Sequence, residues 1–442
     1  MSGSSAEALE PPAEFRRIAE TLERRGYQAW AVGGAVRDAL QGAGRVDWDL
    51  ATEARPEEVR RIFRRTVPIG IEHGTVGVLG ADKVLYEVTT FRRDIDTDGR
   101  HAVVEFAETI EEDLARRDFT INAVAWRPAT EELRDPFGGR EDLRSGVLRA
   151  VGRAEERFAE DYLRVLRGLR FAGRFGLTIE EETWAALGRA ASHLGHLSAE
   201  RVREELMKVL ADRWPSGALR LYREAGALTI WYPEVAAGAE TNGRWELNLG
   251  AVDALPASRP LLRLARWLVP VADEAELREA RGRSLMHRLR FSNADTRWTT
   301  HLLRHYEPLP SPVDSAATLR EWLSDVEPGA ARDLFRLHFA DARAAGASEK
   351  LRYLLASWRR VHDEILASPP LSLADLAISG EDLLRLGVQE GPAIGVLLDE
   401  LHAEVLEDPD ANDRSRLLER ARELMQLAHL GVPGTPSEEN GG

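Results

Sequence analysis

Near residue 150 the chain changes period. Before that point short apolar runs alternate with amphipathic stretches; after it a 3.6-residue helical period runs to the end, broken by prolines. That division predicts an α+β chain, with an N-terminal head of mixed sheet and helices followed by an all-α neck, body and tail. EFRRIAETLERRG (14–26) reads as an amphipathic helix ended by Gly26, YQAWAVGG as a short apolar strand, VRDALQG as the start of a helix and VDWDLAT as a second strand. PEEVRRIFRR reads as a helix opened by proline, and GTVGVLG, KVLYEVTTF and HAVVEFAE as further strands. The expected boundaries are 1–12 disordered, 13–146 head, 147–212 neck, 213–310 body, 311–428 tail and 429–442 disordered.

With 43% hydrophobic residues the chain can bury several cores, and no apolar run approaches the length of a membrane span. The opening MSGSSAEALEPPAEF carries no basic segment ahead of an apolar core, and there are no cysteines for a disulfide framework or a thiolate zinc site. The expectation is a cytoplasmic protein with no membrane and no protein partner implied. The net charge of −15 argues against nucleic-acid binding by simple charge excess, but Arg164, Arg167, Arg170 and Arg174 cluster while acidic residues crowd the tail. Only Lys83, Lys208 and Lys350 interrupt an otherwise all-arginine basic complement, which reads as codon usage.

The most informative stretch is WAVGGAVRDALQGAGRVDWDLAT (30–52). Gly33 and Gly34 let the backbone turn tightly and approach a ligand. Arg37 offers a planar fork suited to phosphate oxygens. In a strand, Asp47 and Asp49 point to one face, and such paired carboxylates can bridge two Mg²⁺ ions. Asp-x-Asp alone is usually an ordinary solvated strand; preceded by Gly-Gly-x-x-Arg-Asp it describes a site that holds a nucleoside triphosphate and transfers its nucleotidyl group. On these residues the chain resembles the nucleotidyltransferase superfamily, and in detail the class II tRNA nucleotidyltransferases (CCA-adding enzymes) with their relatives the bacterial poly(A) polymerases.

ARRDFTINAVAW (115–126) reads as an arginine pair before a helix start capped by Asp118 or Thr120. In the resembled family it matches the second motif, which implies that Arg117 contacts the incoming nucleotide. Glu111, Glu112 and Asp113 offer a third acidic group near the metals, although a solvated helix face is the favoured reading. In ERFAEDYLRVLRGLRFAGRFGL (156–177), Asp161 and Arg164 at i and i+3 fall on one helical face, with Arg167 and Arg170 continuing the series. A carboxylate and a guanidinium side by side can address the Watson–Crick edge of cytosine or adenine, although an intrahelical salt bridge is the plainer reading of that spacing. The stretch resembles the family's Glu-Asp-x-x-Arg motif, in which protein selects CTP or ATP; Tyr162 stands where proline is usual, with little consequence expected.

DPFGGREDL (135–143) matches a family element that implies a hinge. TTFRRDIDTDGRHAVVEF (89–106) resembles the family's loop that helps switch from C to A. Gly391-Pro392-Ala393-Ile394-Gly395 reads either as a backbone approach to RNA phosphates or as a plain turn into a helix, and His362-Asp363 as a surface pair.

The resemblance implies a Mg²⁺-dependent, template-independent enzyme that adds CCA to tRNA 3′ ends. Asp47 and Asp49 would bind metal; Gly34, Arg37 and Arg117 would hold triphosphate and sugar. Asp161 and Arg164 would read the base, with Arg167 and Arg170 supporting nucleotide or primer. The partners would be tRNA, CTP and ATP, the tail helping to hold tRNA. The alternatives are an enzyme that adds only A, a poly(A) polymerase, a small-molecule nucleotidyltransferase and an inactive RNA-binding protein.

Overall fold

The computed structural model describes residues 9–42, 47–71, 74–97, 102–239 and 244–430. Among these residues the head is built on nine strands: β1 (Ala29–Val32), β2 (Leu50–Thr52), β3 (Thr66–Gly70), β4 (Thr75–Leu79), β5 (Leu85–Thr90), β6 (Arg92–Thr97), β7 (Ala102–Phe106), β8 (Ala125–Arg127) and β9 (Glu132–Arg134). Seven of them form one sheet in the order β3-β4-β5-β2-β1-β8-β9, and β6 and β7 pair separately. The sheet is mixed, because β2 and β5 run parallel while the other pairs are antiparallel.

Alternation splits the head core. Ala29, Ala31 and Leu50 face a cluster with Phe15, Ile18 and Leu22 of helix α1 (Ala13–Glu23), whereas Trp30, Val32 and Ala51 face Ile110 and Leu114. The central strands β1 and β2 are therefore buried on both faces. α2 (Gly34–Leu40) follows β1, α3 (Pro56–Ile62) starts on the expected proline, and α4 (Ile110–Ala115) is capped by Thr109.

Two expectations are corrected. VDWDLAT is a strand only from Leu50, so Asp47 and Asp49 lie in its lead-in, where the Asp49 carbonyl accepts from the Val32 amide at 3.2 Å. FTINAVAW is no helix: Thr120–Asn122 make a single 3₁₀ turn that feeds β8. A turn there leaves Asp118 free to point inward instead of capping a helix.

After the nine strands come α5 (Gly139–Ser145), α6 (Ala154–Glu160), α7 (Leu163–Phe175), α8 (Glu181–Ala191) and α9 (Ala199–Ala211), with β10 (Val147–Leu148) and β11 (Thr178–Ile179) paired in parallel. The chain packs as two units, Met1–Glu240 with Leu285–Phe291, and Thr241–Ser284 with Ser292–Gly442. The stretches read above as head and neck fall within the first of these units.

The second unit is helical among its described residues, and several of its arginines hold helix ends. Arg320 is buried and donates to the carbonyls of Leu406 (2.5 Å) and Glu407 (2.7 Å), at the C-terminus of helix Pro392–Glu407. Arg263 treats Leu255, just past helix Arg244–Ala254, in the same way. A planar cation satisfies otherwise orphaned carbonyls there. Gly391 opens Pro392–Glu407 with proline at its first position, and His362 rests edge-on against Trp358. Among the described residues no helix is long and apolar enough to cross a membrane.

Candidate active site

Gly33, at the end of β1, has φ +68°, and a Cβ there would sit 2.5 Å from Arg117 Nη1. Of the glycine pair it is therefore Gly33, not Gly34, whose missing side chain the packing requires. Arg37 reaches back from α2 into the interior. It donates to Asp38 (2.8 Å) and Asn122 Oδ1 (2.5 Å) and lies over the rings of Phe171 and Phe175.

Arg117 donates to Asp113 Oδ2 at 3.0 Å, and its Nε is buried without a hydrogen-bond partner. Asp113 is itself buried and also accepts from Arg116 at 3.2 Å. Asp118 accepts from Asn122 Nδ2 (2.9 Å) and Arg167 Nε (2.8 Å). Burial alone would raise its pKa, but the Arg167 guanidinium and these hydrogen bonds hold it at about 2.

Asp161 and Arg164 do not lie side by side on one helix. The chain breaks between α6 and α7, and Asp161 sits in the break with φ −156°. Its carboxylate accepts from the Leu163 amide (3.0 Å) and from Arg201 Nη2 (2.6 Å), while Arg164 pairs with Glu160 and donates to the Arg116 carbonyl (3.0 Å). Tyr162 has φ −62°, the value proline would impose, so that departure costs the backbone nothing, and its ring stacks on His193 at 4.9 Å.

Arg37, Arg117, Asp161, Arg164 and Arg167 nevertheless line one cleft of about 400 Å³, together with Gly33, Gly34, Asn122 and Arg201. Arg170 does not: its guanidinium is buried against Glu205 at 2.7 Å.

At the start of the central strand β2, burial and then the negative charges of Glu87 and Asp47 push Asp49 up to about 7, against the pull of Arg117. Glu87 stands on β5 directly across from Gly77 of β4, one residue from the Val88↔Leu50 pair of β5 and β2. None of these three carboxylates has a side-chain hydrogen bond or ion pair among the described residues, where no three His, Cys, Asp or Glu side chains close into a cage around an ion. Crowded, unpaired carboxylates that do not complete a shell suit Mg²⁺, which keeps waters and takes substrate phosphates as its remaining ligands.

Residues 29–149 match a family model described as "Poly A polymerase head domain", and 176–238 one described as "Probable RNA and SrmB- binding site of polymerase A". The CCA-adding enzyme of Anoxybacillus flavithermus is 35% identical over 418 residues, 92% of this chain and 97% of that protein. This chain belongs to the CCA-adding enzyme family. The CCA-adding enzyme of Geobacillus stearothermophilus is 34% identical over 428 residues, covering 94% and 98% of the two chains. A crystal structure of the Bacillus stearothermophilus CCA-adding enzyme in complex with CTP is similar with a TM-score of 0.76 and 31% identity, across 96% of this chain and all (100%) of that one.

Within this CCA-adding enzyme fold, sequence reading missed Glu87, Asn122, Arg201 and Phe171. Glu87 carried a signal as the one charged residue of LYEVTT, and Asn122 as the one amide within TINAVAW. Arg201 lies 40 residues from Asp161 and carried none. Glu112 closes the Thr109 capping box, and Asp113 pairs with Arg116 and Arg117. The Asp-Gly-Arg-His element of the expected switching loop, residues 98–101, lies outside the described residues.

Proposed function

We propose that this chain adds C, C and A in turn to tRNA 3′ ends from CTP and ATP, releasing pyrophosphate each time, with Mg²⁺ as cofactor. The observation that carries the reading is the crowding of unpaired Asp47, Asp49 and Glu87 beside an arginine-lined cleft in a chain of this family. Asp47, Asp49 and Glu87 would hold Mg²⁺, which would supply a Lewis acid for the RNA 3′-hydroxyl and for the charge on departing pyrophosphate.

The protein's own part is positioning. Gly33 and Gly34 open the backbone, and Arg117, with its free Nε, holds the triphosphate in place. Arg37 stiffens the wall from behind through Asn122. Asp161, aimed by Arg201, accepts from the exocyclic amino group shared by cytosine and adenine, and Arg164 donates to the ring. Uracil carries a carbonyl oxygen in place of the amino group and would set an acceptor against the Asp161 carboxylate. Arg167 locks Asp118 and with it the floor of the cleft. A cytoplasmic location follows from the substrates, since tRNA and nucleoside triphosphates are found there.

The test offers the purified protein tRNAs lacking CCA, lacking CA and lacking only A, with CTP and ATP. The reading requires completion of all three to one mature end. A long A tail instead identifies a poly(A) polymerase, a reading motivated by the name of the matching head model. Growth by A alone, and only on the last substrate, identifies an A-adding enzyme.

A further inference from the structure

The sheet face that carries Glu87 does not end at the carboxylates. Residues paired across antiparallel strands share a face, so Val67, Gly77 and Glu87 lie on it in one row, and Leu79 and Leu85 in the next. Ile69 joins them through the irregularity between Pro68 and Gly70 of β3. A Cβ on Gly77 would lie 2.6 Å from Ile69 Cδ1 and 3.0 Å from Leu85 Cδ1, so these side chains meet above bare backbone. They stay open to water: Val67 is 42% exposed, Ile69 43% and Leu85 40%. A continuous apolar ledge on an edge strand is a liability unless something covers it.

We infer that this ledge seats the 3′-terminal nucleotide of the RNA primer. The inference rests on the proposed nucleotidyl transfer and deepens it. The cleft residues Gly33, Gly34, Arg117 and Asn122 follow β1 or precede β8, on one side of β2 in the sheet. The ledge is on β3, β4 and β5, on the other side of β2, and the carboxylates stand between. Displacement at phosphorus is in line, with attacking and leaving oxygens on opposite sides. With pyrophosphate leaving toward the arginines, the attacking hydroxyl arrives from the ledge side, two residues along β5 from Glu87. The chemistry of the ledge fits that occupant. The primer ends in the tRNA's own last base, then in C, then in C again, so its seat must hold sugar and base without reading an edge. Aliphatic side chains give contact without a hydrogen-bond code.

The test is Ile69→Thr/Leu85→Thr, which keeps strand-favouring residues at exposed positions, with Ile69→Leu as the conservative variant and Leu85→Thr as the milder one. The double variant should raise KM for tRNA about ten-fold at each addition step while KM for CTP and ATP moves less than about two-fold, and Ile69→Leu should match the parent. Melting temperatures confirm folding, and if the double variant does not fold, Leu85→Thr alone must show the same split. An unchanged KM for tRNA, or a rise confined to the nucleotides, overturns the inference. So does a parent that self-associates in solution and is dissociated by the variants, because the ledge is then covered by a second copy. A parent that adds nothing to tRNA overturns the proposed function itself, whereas an active parent with unaffected variants overturns only the ledge.

Discussion

The two sides of the cleft treat charge in opposite ways. On the basic side every guanidinium that matters already has a carboxylate: Arg117 has Asp113, Arg167 has Asp118, Arg164 has Glu160 and Arg201 has Asp161. On the acidic side Asp49 is driven up to about 7, first by burial and then by the negative charges of Glu87 and Asp47. The basic wall stabilises the fold whether or not substrate is present. The acidic cluster costs the fold above about pH 7, where Asp49 is ionised, and is relieved by a proton or a cation. Stability and activity should therefore separate between the two sides.

The largest effect expected is on the acidic side. Asp49→Asn and Asp47→Asn should each lower the rate of nucleotide addition by at least about 10³-fold, since on the proposed reading each removes a carboxylate that would hold Mg²⁺ at the transferred nucleotidyl group. Neither should lower the melting temperature of metal-free protein at pH 8, where a neutral amide in place of either carboxylate removes its repulsion with the neighbouring acids. A variant that loses its fold along with its activity breaks the contrast.

On the basic side, Asp118→Asn should lose stability first. It leaves Arg167 without its counter-ion, at a cost of about 2–4 kcal/mol, below the range for a fully buried pair because a third of the Arg167 side chain meets water. The sign with pH follows from a depressed carboxyl. Asp118 contributes fully above its ordinary pKa of 3.8 and loses that contribution as pH falls toward about 2. Denaturant titrations of parent and variant should differ most at neutral pH and converge between pH 4 and 2.

Arg201→Ala tests whether pairing on this wall aims as well as stabilises. Releasing Asp161 should raise misincorporation of UTP about ten-fold while melting shifts little, since the pair is partly exposed. Unchanged selectivity would put base reading on Arg164 alone. The smallest change is Gly33→Ala, expected to cost about 1 kcal/mol for its φ of +68° and to raise KM for nucleotide by displacing Arg117.

The sequence by itself determined the change from mixed sheet to helices, because periodicity is local, and the Gly-Gly-x-x-Arg-Asp and Asp-x-Asp elements, because they are contiguous. It also brought Arg117, Asp161, Arg164 and Arg167 forward as candidates, and all four line the cleft. Their partners were decided only by the tertiary structure. Spacing of three paired Asp161 with Arg164, but the helix breaks at Asp161, and Arg201 from α9 takes the carboxylate instead. Arg170 continues the arginine series in sequence yet turns to Glu205, because a regular helix rotates successive third residues out of the cleft. Glu87 became the companion of Asp49 only when β5 paired in parallel with β2, a contact that no local pattern encodes. Local periodicity sets which elements form; which charges meet depends on strand order and helix breaks, and these are set by packing across the whole unit.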